Sequence, residues 1–169
     1  VMGSRSTDMK AKIGGYQGRK LQKDDVIAFR APKTDLKNLG VRHISPEFVP
    51  RAEYKLRVVL GPQDDAFTEK GLFDFKSALY TVTQDSNRMA AKLSGAPIEA
   101  KAGVDILSDG IVEGSVQVSA NGQPIVMLAD HQSTGGYAKI ATVIPCDIPA
   151  LAQVRPGQLV GFRVVSVEE

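Results

Sequence analysis

The segment ADHQSTGGYAKI, residues 129–140, carries more polar groups than a surface turn needs. Glycines at positive φ let successive backbone N–H groups form a concave anion-binding turn. We therefore expect Gly135 and Gly136 to cradle a ligand, with the ammonium of an exposed Lys139 supplying positive charge at the same point. Asp130 and Gln132 add an acceptor and a donor–acceptor pair. The alternative is a hairpin turn with a solvated face.

A second candidate segment is GSRSTD, residues 3–8. Arg5 is suited to bidentate binding of a carboxylate or phosphate, and Ser6 and Thr7 place hydroxyl groups beside it. The alternative is that Ser6, Thr7 or Asp8 caps the N-terminus of a helix.

Two further stretches place polar groups next to predicted strands. QDSNRM, residues 84–89, offers Asn87 and Arg88 as ligands, or else forms a polar β-turn with an Asx cap. In IVEGSVQVS, residues 111–119, period-two alternation puts Gln117 on one face with Ser115 and Ser119. That face is either solvent or the mouth of a barrel.

Composition and missing motifs exclude several classes of protein. The net charge is +2 and the 21 basic residues are spread along the chain, which is not the pattern of a nucleic-acid protein. Two histidines, His43 and His131, and the lone Cys146 do not make a zinc set. No apolar run approaches the roughly 20 residues that span a bilayer. A single cysteine is typical of a reducing compartment, which predicts a cytoplasmic protein.

Short runs rich in Val and Ile, bounded by Gly, Pro, Asn or Asp, predict a chain made mainly of strands. The predicted strands are residues 25–29, 54–61, 78–83, 111–119, 123–129, 138–144 and 159–167. Asn121-Gly122 predicts a hairpin.

The elements between the strands complete this prediction. Residues 64–75 and 146–154 predict short helices, the second with Asp147 as N-cap and Pro149 in its first turn. Residues 30–53 are polar, contain three prolines and predict a loop or linker. Such a pattern favours an antiparallel β-barrel or sandwich.

Six segments, in this order and spacing, closely resemble the biotin-dependent carboxyltransferase-like family. They are GSRSTD, GGYQGRKLQKDD, GPQDDAF, YTVTQDSNRM, LSDGIVEGSVQVSANGQPIVMLADHQSTGGYAKI and LAQVRPGQLVGF. The family includes the C component of bacterial 5-oxoprolinase, Kip-type anti-inhibitor proteins, allophanate hydrolase subunit 2 and part of urea carboxylase. The resemblance implies that residues 1–169 are the C-terminal part of such a protein. It also implies a mainly β fold: a cyclophilin-like antiparallel β-barrel with one or two short helices.

The resemblance further implies the activity of a 5-oxoprolinase component, in which ATP drives the opening of 5-oxoproline to glutamate. ATP would bind together with the sibling chains, namely the Kip-inhibitor-like B component and the A component, and this chain would be inactive alone. The resemblance suggests Lys139, Asp130 and Tyr137 as catalytic residues, with Asp130 and Gln132 orienting Lys139 or holding the lactam N–H. The substrate-binding candidates are Arg5, Ser6, Thr7, Asn87, Arg88, Gln117, Gln132, Thr134, Gly135 and Gly136.

Two other functions occur in the same family. One is the carboxylation of a urea- or allophanate-type amide, which would use biotin carried by another chain. The other is a Kip-type regulator that binds the inhibitor of a histidine kinase without catalysis. A small-molecule amide substrate is expected for either enzyme, with neither nucleic acid nor membrane as a partner.

Overall fold

The computed structural model describes residues 3–28 and 52–168. The chain forms two units, Val1–Ile44 and Ser45–Glu169. The predicted loop or linker over 30–53 lies outside the described residues except for its last two positions, and Glu53 already begins a strand.

The first unit contains a small antiparallel hairpin of β1 (Thr7–Asp8) and β2 (Ile13–Gly14). The Asp8 carboxylate accepts hydrogen bonds from the backbone N–H groups of Lys10 and Ala11, both at 2.9 Å. This Asx-type turn takes the place of the helix cap that was the alternative at residues 6–8.

The strand predicted over 25–29 is wrong for its described part, because residues 25–28 belong to no strand. Val26 and Ile27 are exposed there, so this apolar run does not form the face of a sheet. Asp25 instead pairs with Arg19, 2.8 Å away, and hydrogen bonding from that guanidinium is the main cause that lowers the pKa of Asp25 to about 2.

The second unit contains a closed barrel of seven strands and a separate two-stranded sheet. The strands are β3 (Glu53–Leu60), β4 (Leu79–Val82), β5 (Ala90–Ser94), β6 (Asp105–Gly110), β7 (Ser115–Val118), β8 (Pro124–Met127), β9 (Thr134–Tyr137), β10 (Lys139–Val143) and β11 (Leu159–Val164). Around the barrel they run β10-β3-β11-β4-β5-β8-β7, and β7 pairs with β10 to close it. β6 and β9 pair with each other outside the barrel.

The mainly β barrel predicted from the sequence is confirmed, and the sandwich alternative is wrong because the sheet closes on itself. Neighbouring barrel strands are antiparallel with one exception among the described residues, the parallel pair β3 and β11. The Asn121-Gly122 hairpin is confirmed between β7 and β8, where Gly122 has a φ of +76°. A positive φ suits glycine because it has no Cβ to clash with its own carbonyl.

Two short helices pack on the barrel unit, as predicted. α1 (Glu69–Ser77) begins where the Thr68 hydroxyl accepts the N–H of Gly71 at 2.9 Å, and its Phe75 stacks on Phe162 of β11 with ring centroids 4.5 Å apart. α2 (Ile148–Leu151) has four residues. Of the helices in residues 3–28 and 52–168, none has the length and apolar character that crossing a bilayer requires.

The barrel interior is filled by the apolar face of each strand. β3 shows the period-two alternation expected of a half-buried strand, with Tyr54, Leu56 and Val58 buried. β7 is buried at all four positions, and two of these are the polar residues Ser115 and Gln117. A buried polar group needs a hydrogen-bond partner. The surroundings of these polar side chains therefore indicate where a candidate site lies.

Candidate functional site

Lys139, the first residue of β10, is buried, with only 4% of its surface exposed. Its ammonium donates to the Asp109 carboxylate at 2.6 Å and to the carbonyl oxygen of Gly110 at 3.0 Å. The expectation of an exposed lysine at this position is therefore wrong. The pairing of β10 with β7 shifts register between Lys139 and Ala141, as at a β-bulge. Bulges commonly re-aim a side chain in this way.

Asp109 lies on β6 and meets Lys139 from outside the barrel. Its side chain is 55% exposed, whereas that of Lys139 is 6% exposed. Hydrogen bonding from Lys139, followed by the backbone N–H of Gly110, lowers the pKa of Asp109 below its ordinary value. The pair is thus a buried cation beneath a solvent-facing carboxylate.

Gln63 fixes this pair from a third direction. Its side-chain oxygen accepts the backbone N–H of Lys139 at 3.1 Å, and its backbone N–H approaches the Lys139 carbonyl oxygen at 3.4 Å. The Gln63 side chain also contributes, as the smallest cause, to the lowered pKa of Asp109. Gly61 makes this approach possible, because a Cβ there would clash with the carbonyl oxygen of Lys139. The GPQ start of GPQDDAF therefore places Gln63 on the bulge of β10.

Gln117 of β7 lies opposite Lys139 in the strand pairing and is 2% exposed. Its amide N–H donates to the carbonyl oxygen of Tyr137 at 3.0 Å. It is therefore covered by β9 rather than exposed to bulk solvent. Gly135 makes room for it, because a Cβ at that position would lie 2.9 Å from the Gln117 amide nitrogen and 2.5 Å from Ile111.

The Gly-Gly pair does not form the anion-binding turn that was expected. Neither Gly135 nor Gly136 has positive φ, and both lie in β9, where Gly135 pairs with Asp109 of β6. The hairpin alternative is also wrong, because β8 and β10 are not neighbours and β7 lies between them. The segment turns at residues 129–130 and then supplies β9 and the start of β10.

Asp130 does not orient Lys139, because its carboxylate pairs with Arg88 instead. The Arg88 guanidinium donates to both oxygens of Asp130, at 2.7 and 3.1 Å. The hydrogen bond from Arg88 lowers the pKa of Asp130. This ion pair is exposed and ties the turn after β8 to the turn between β4 and β5.

Arg88 and Asn87 line a separate cavity of about 390 Å³. Its walls are mainly apolar, with Val82, Leu128 and Leu151 among them. The Asn87 side chain accepts the N–H of Met89 at 2.8 Å, which confirms the Asx-capped turn in this segment. None of the residues around Lys139 lines this cavity, so the structure separates Asn87 and Arg88 from the lysine cluster.

The other predicted residues lie at the edge of the cluster or in the first unit. Tyr137 is half-buried at the end of β9, Thr134 is exposed at its start, and Gln132 is exposed in the connection from the turn. Arg5, Ser6 and Thr7 belong to the first unit, at the start of its hairpin.

Sequence reasoning missed two residues of the cluster, Asp109 and Gln63. Both lie in segments that carry the family resemblance, LSDG and GPQDDAF, but neither is near Lys139 in sequence. We call Gln63, Asp109, Gln117 and Lys139 the lysine cluster. Within the described ranges 3–28 and 52–168, no group of three or more His, Cys, Asp or Glu side chains is placed to hold a metal.

Comparison with known proteins gives consistent results. Residues 1–164 match the family model described as carboxyltransferase domain, subdomain A and B. The chain is 38% identical over 169 residues to the C component of 5-oxoprolinase from Haemophilus influenzae, and 36% identical over 170 residues to that of Escherichia coli. Each alignment covers 100% of this chain and 53% of the relative. The chain thus spans about half the length of these curated relatives.

The crystal structure of the urea amidolyase of K. lactis has a similar fold. Its TM-score is 0.72 at 24% identity, over 98% of this chain and 11% of that one.

Proposed function

This chain belongs to the family of carboxyltransferase domains, subdomain A and B, and on that premise we propose that it is part of the C component of an ATP-dependent 5-oxoprolinase. The observation that carries the proposal is its similarity, over its full length, to two proteins named as that component of 5-oxoprolinase. The proposed activity is the opening of the cyclic amide of 5-oxoproline to give glutamate. The chain would contribute to this hydrolase as one member of a heteromeric complex.

The lysine cluster suits the chemistry of a cyclic amide. Resonance stabilises the amide C–N bond and lowers the reactivity of its carbonyl. Ring opening therefore needs activation of the oxygen, together with groups that fix the amide and stabilise developing charge. The cluster supplies a carboxylate, an ammonium and the Gln63 amide within one hydrogen-bonded set. The Gln117 amide lies opposite Lys139 in the strand pairing and binds the Tyr137 carbonyl oxygen. Tyr137, whose carbonyl oxygen is held by Gln117, is proposed to close one wall of the site.

ATP is assigned to the complex formed with the sibling chains rather than to the segment at 129–140. The two glycines of that segment are extended in β9, so their N–H groups do not form a concave turn for a phosphate. The sequence also has no G-x-x-x-x-G-K-[ST] loop. These residues therefore do not fit a phosphate.

The proposed partners are the Kip-inhibitor-like B component and the A component of 5-oxoprolinase. Cys146 is a free, exposed thiol. We place the complex in the cytoplasm, where such a thiol stays reduced.

A coupled assay of the assembled complex tests the proposal. The complex is offered ATP with 5-oxoproline, urea or allophanate in turn, with and without carboxybiotin, while glutamate and ADP are measured. We expect the complex to produce glutamate from 5-oxoproline. We expect that activity to disappear when the component that contains this chain is omitted. Carboxylation of urea that depends on carboxybiotin would favour the amide carboxyltransferase instead. Binding to the Kip-inhibitor-like component without turnover of any substrate would favour the Kip-type regulator.

A further inference from the structure

We propose that Asp109 is the group of the lysine cluster that contacts the substrate, by accepting the N–H of the cyclic amide, and that Lys139 is a positioning residue beneath it. This inference rests on the proposed function, because it assigns a role in binding 5-oxoproline. It reverses the order expected from the sequence, in which Lys139 is the charge that meets the ligand.

Exposure decides which of the two charges a substrate can reach. The Asp109 side chain is 55% exposed, and the Lys139 side chain is 6% exposed. The Lys139 ammonium is already engaged by Asp109 at 2.6 Å and by the Gly110 carbonyl oxygen at 3.0 Å. A ligand that approaches from solvent therefore meets the carboxylate first.

The carboxylate has room for one more hydrogen bond. An ionised carboxylate offers about four acceptor positions on its two oxygens. Lys139 donates to Oδ2, and the N–H of Gly110 donates to Oδ1 at 2.7 Å. These two contacts hold one oxygen each, while the exposed side of the carboxylate remains open to a donor.

The electrostatics favour an acceptor over a proton donor. Lys139, Gly110 and Gln63 all favour the ionised form and lower the pKa of Asp109. An acceptor-only carboxylate matches the N–H of an amide, and an analogue without that N–H offers it no donor. Hydrogen bonds to charged acceptors are also stronger than neutral ones. The specificity expected is for a cyclic amide with a free N–H.

The experiment compares variants in the assembled complex, with 5-oxoproline and N-methyl-5-oxoproline as substrates. We expect Asp109→Asn to lower kcat/KM for 5-oxoproline by about 10- to 100-fold, as for the loss of a charged hydrogen bond. It should also abolish discrimination against the N-methyl analogue. Asp105→Asn is the matched control, since Asp105 is exposed on the same strand β6. This control should leave both kcat/KM for 5-oxoproline and the discrimination against the N-methyl analogue near their wild-type values.

The positioning role of Lys139 has its own readout. Lys139→Met removes the ammonium that lowers the pKa of Asp109, so the acid limb of the kcat/KM–pH profile should move to higher pH. A purely structural role would reduce activity without moving that limb. If Asp109→Asn fails to fold, the double variant Asp109→Asn/Lys139→Met removes both charges together, and the same loss of N-methyl discrimination is expected from it.

Three outcomes separate the hypotheses. An active wild-type complex in which Asp109→Asn behaves like Asp105→Asn would overturn this inference and leave the proposed function intact. An unmoved acid limb in Lys139→Met would overturn the positioning role. A wild-type complex that opens no 5-oxoproline would overturn the proposed function and this inference with it.

Discussion

At the scale of single residues, Lys139 shows how burial changes the meaning of a charged side chain. An exposed lysine contributes little to folding, but Lys139 lies at the bulge where β10, β7 and the Gly61–Gln63 loop meet. Its aliphatic stem is buried along with its ammonium. The residue therefore has a structural role in addition to the positioning role proposed for it.

Lys139→Ala should destabilise the protein by about 2 kcal/mol or more, because it removes a buried stem and leaves a cavity. That corresponds to a fall in Tm of at least about 4 °C. Lys92→Ala is the control, since Lys92 is exposed on the barrel strand β5. Thermal melts of the two variants and the wild type give the comparison. Equal melting temperatures for both variants would show that the burial of Lys139 does not matter for stability.

The two glycines of β9 should respond differently to the same substitution. A Cβ on Gly135 would lie 2.5 Å from Ile111 and 2.9 Å from Gln117, whereas on Gly136 its nearest contact would be at 3.4 Å. Both residues are extended, so backbone strain does not enter. We expect Gly135→Ala to cost about 1–3 kcal/mol through overpacking, and Gly136→Ala to be nearly neutral. Chemical denaturation measures both, and the reverse order would contradict the packing described here.

At the scale of elements, the start of α2 shows a capping residue used for another purpose. The sequence predicts Asp147 as the N-cap of α2, and Asp147 does occupy that position, but its side chain makes no capping hydrogen bond. Both of its oxygens bind Arg57 of β3, through side-chain contacts of 2.6 and 3.1 Å and a backbone contact of 2.8 Å. The carboxylate thus ties α2 to the barrel.

This tie predicts a pH dependence of stability. The hydrogen bond from Arg57 is the main cause that lowers the pKa of Asp147 in the folded protein. A carboxyl group whose folded pKa lies below its unfolded value of about 3.9 stabilises the fold above that pH, and the contribution is lost as the pH falls through the folded pKa. Asp147→Asn should therefore be less stable than wild type at pH 7, with the difference shrinking below about pH 4. Urea unfolding across pH 3–7 measures it.

Asp85→Asn serves as the control for that series, because Asp85 is exposed in the turn after β4. It should leave the stability–pH curve close to wild type. A constant difference between Asp147→Asn and wild type down to pH 3 would show that the ion pair does not stabilise the fold.

The elements also show what sequence patterns could and could not predict. Strands such as β3 and β11 carry runs of Val, Leu and Phe, so their apolar faces were visible. β6 (DILSDG) and β9 (TGGY) were missed because neither carries an alternating apolar pattern, and they pair only with each other. The lysine cluster depends on that pairing and on a bulge, which long-range contacts determine rather than local sequence.

At the scale of the whole molecule, the hydrophobic core lies within the second unit. Every buried residue of the two core clusters falls between Tyr54 and Phe162. A barrel closed on itself leaves no unpaired edge among its strands. The physical unit that positions the lysine cluster is therefore the barrel together with the β6–β9 sheet.

The fragment 45–169 should consequently fold on its own. We expect a single cooperative thermal transition within about 3 °C of that of the 169-residue chain, because the buried apolar surface that drives folding is retained. Phe162→Ala, made in both lengths, is the matched control: Phe162 is 1% exposed and stacks on Phe75. Its loss should cost about 3–5 kcal/mol in each. A fragment that melts without cooperativity, or that is insensitive to Phe162→Ala, would show that the barrel needs residues 1–44 to form its core.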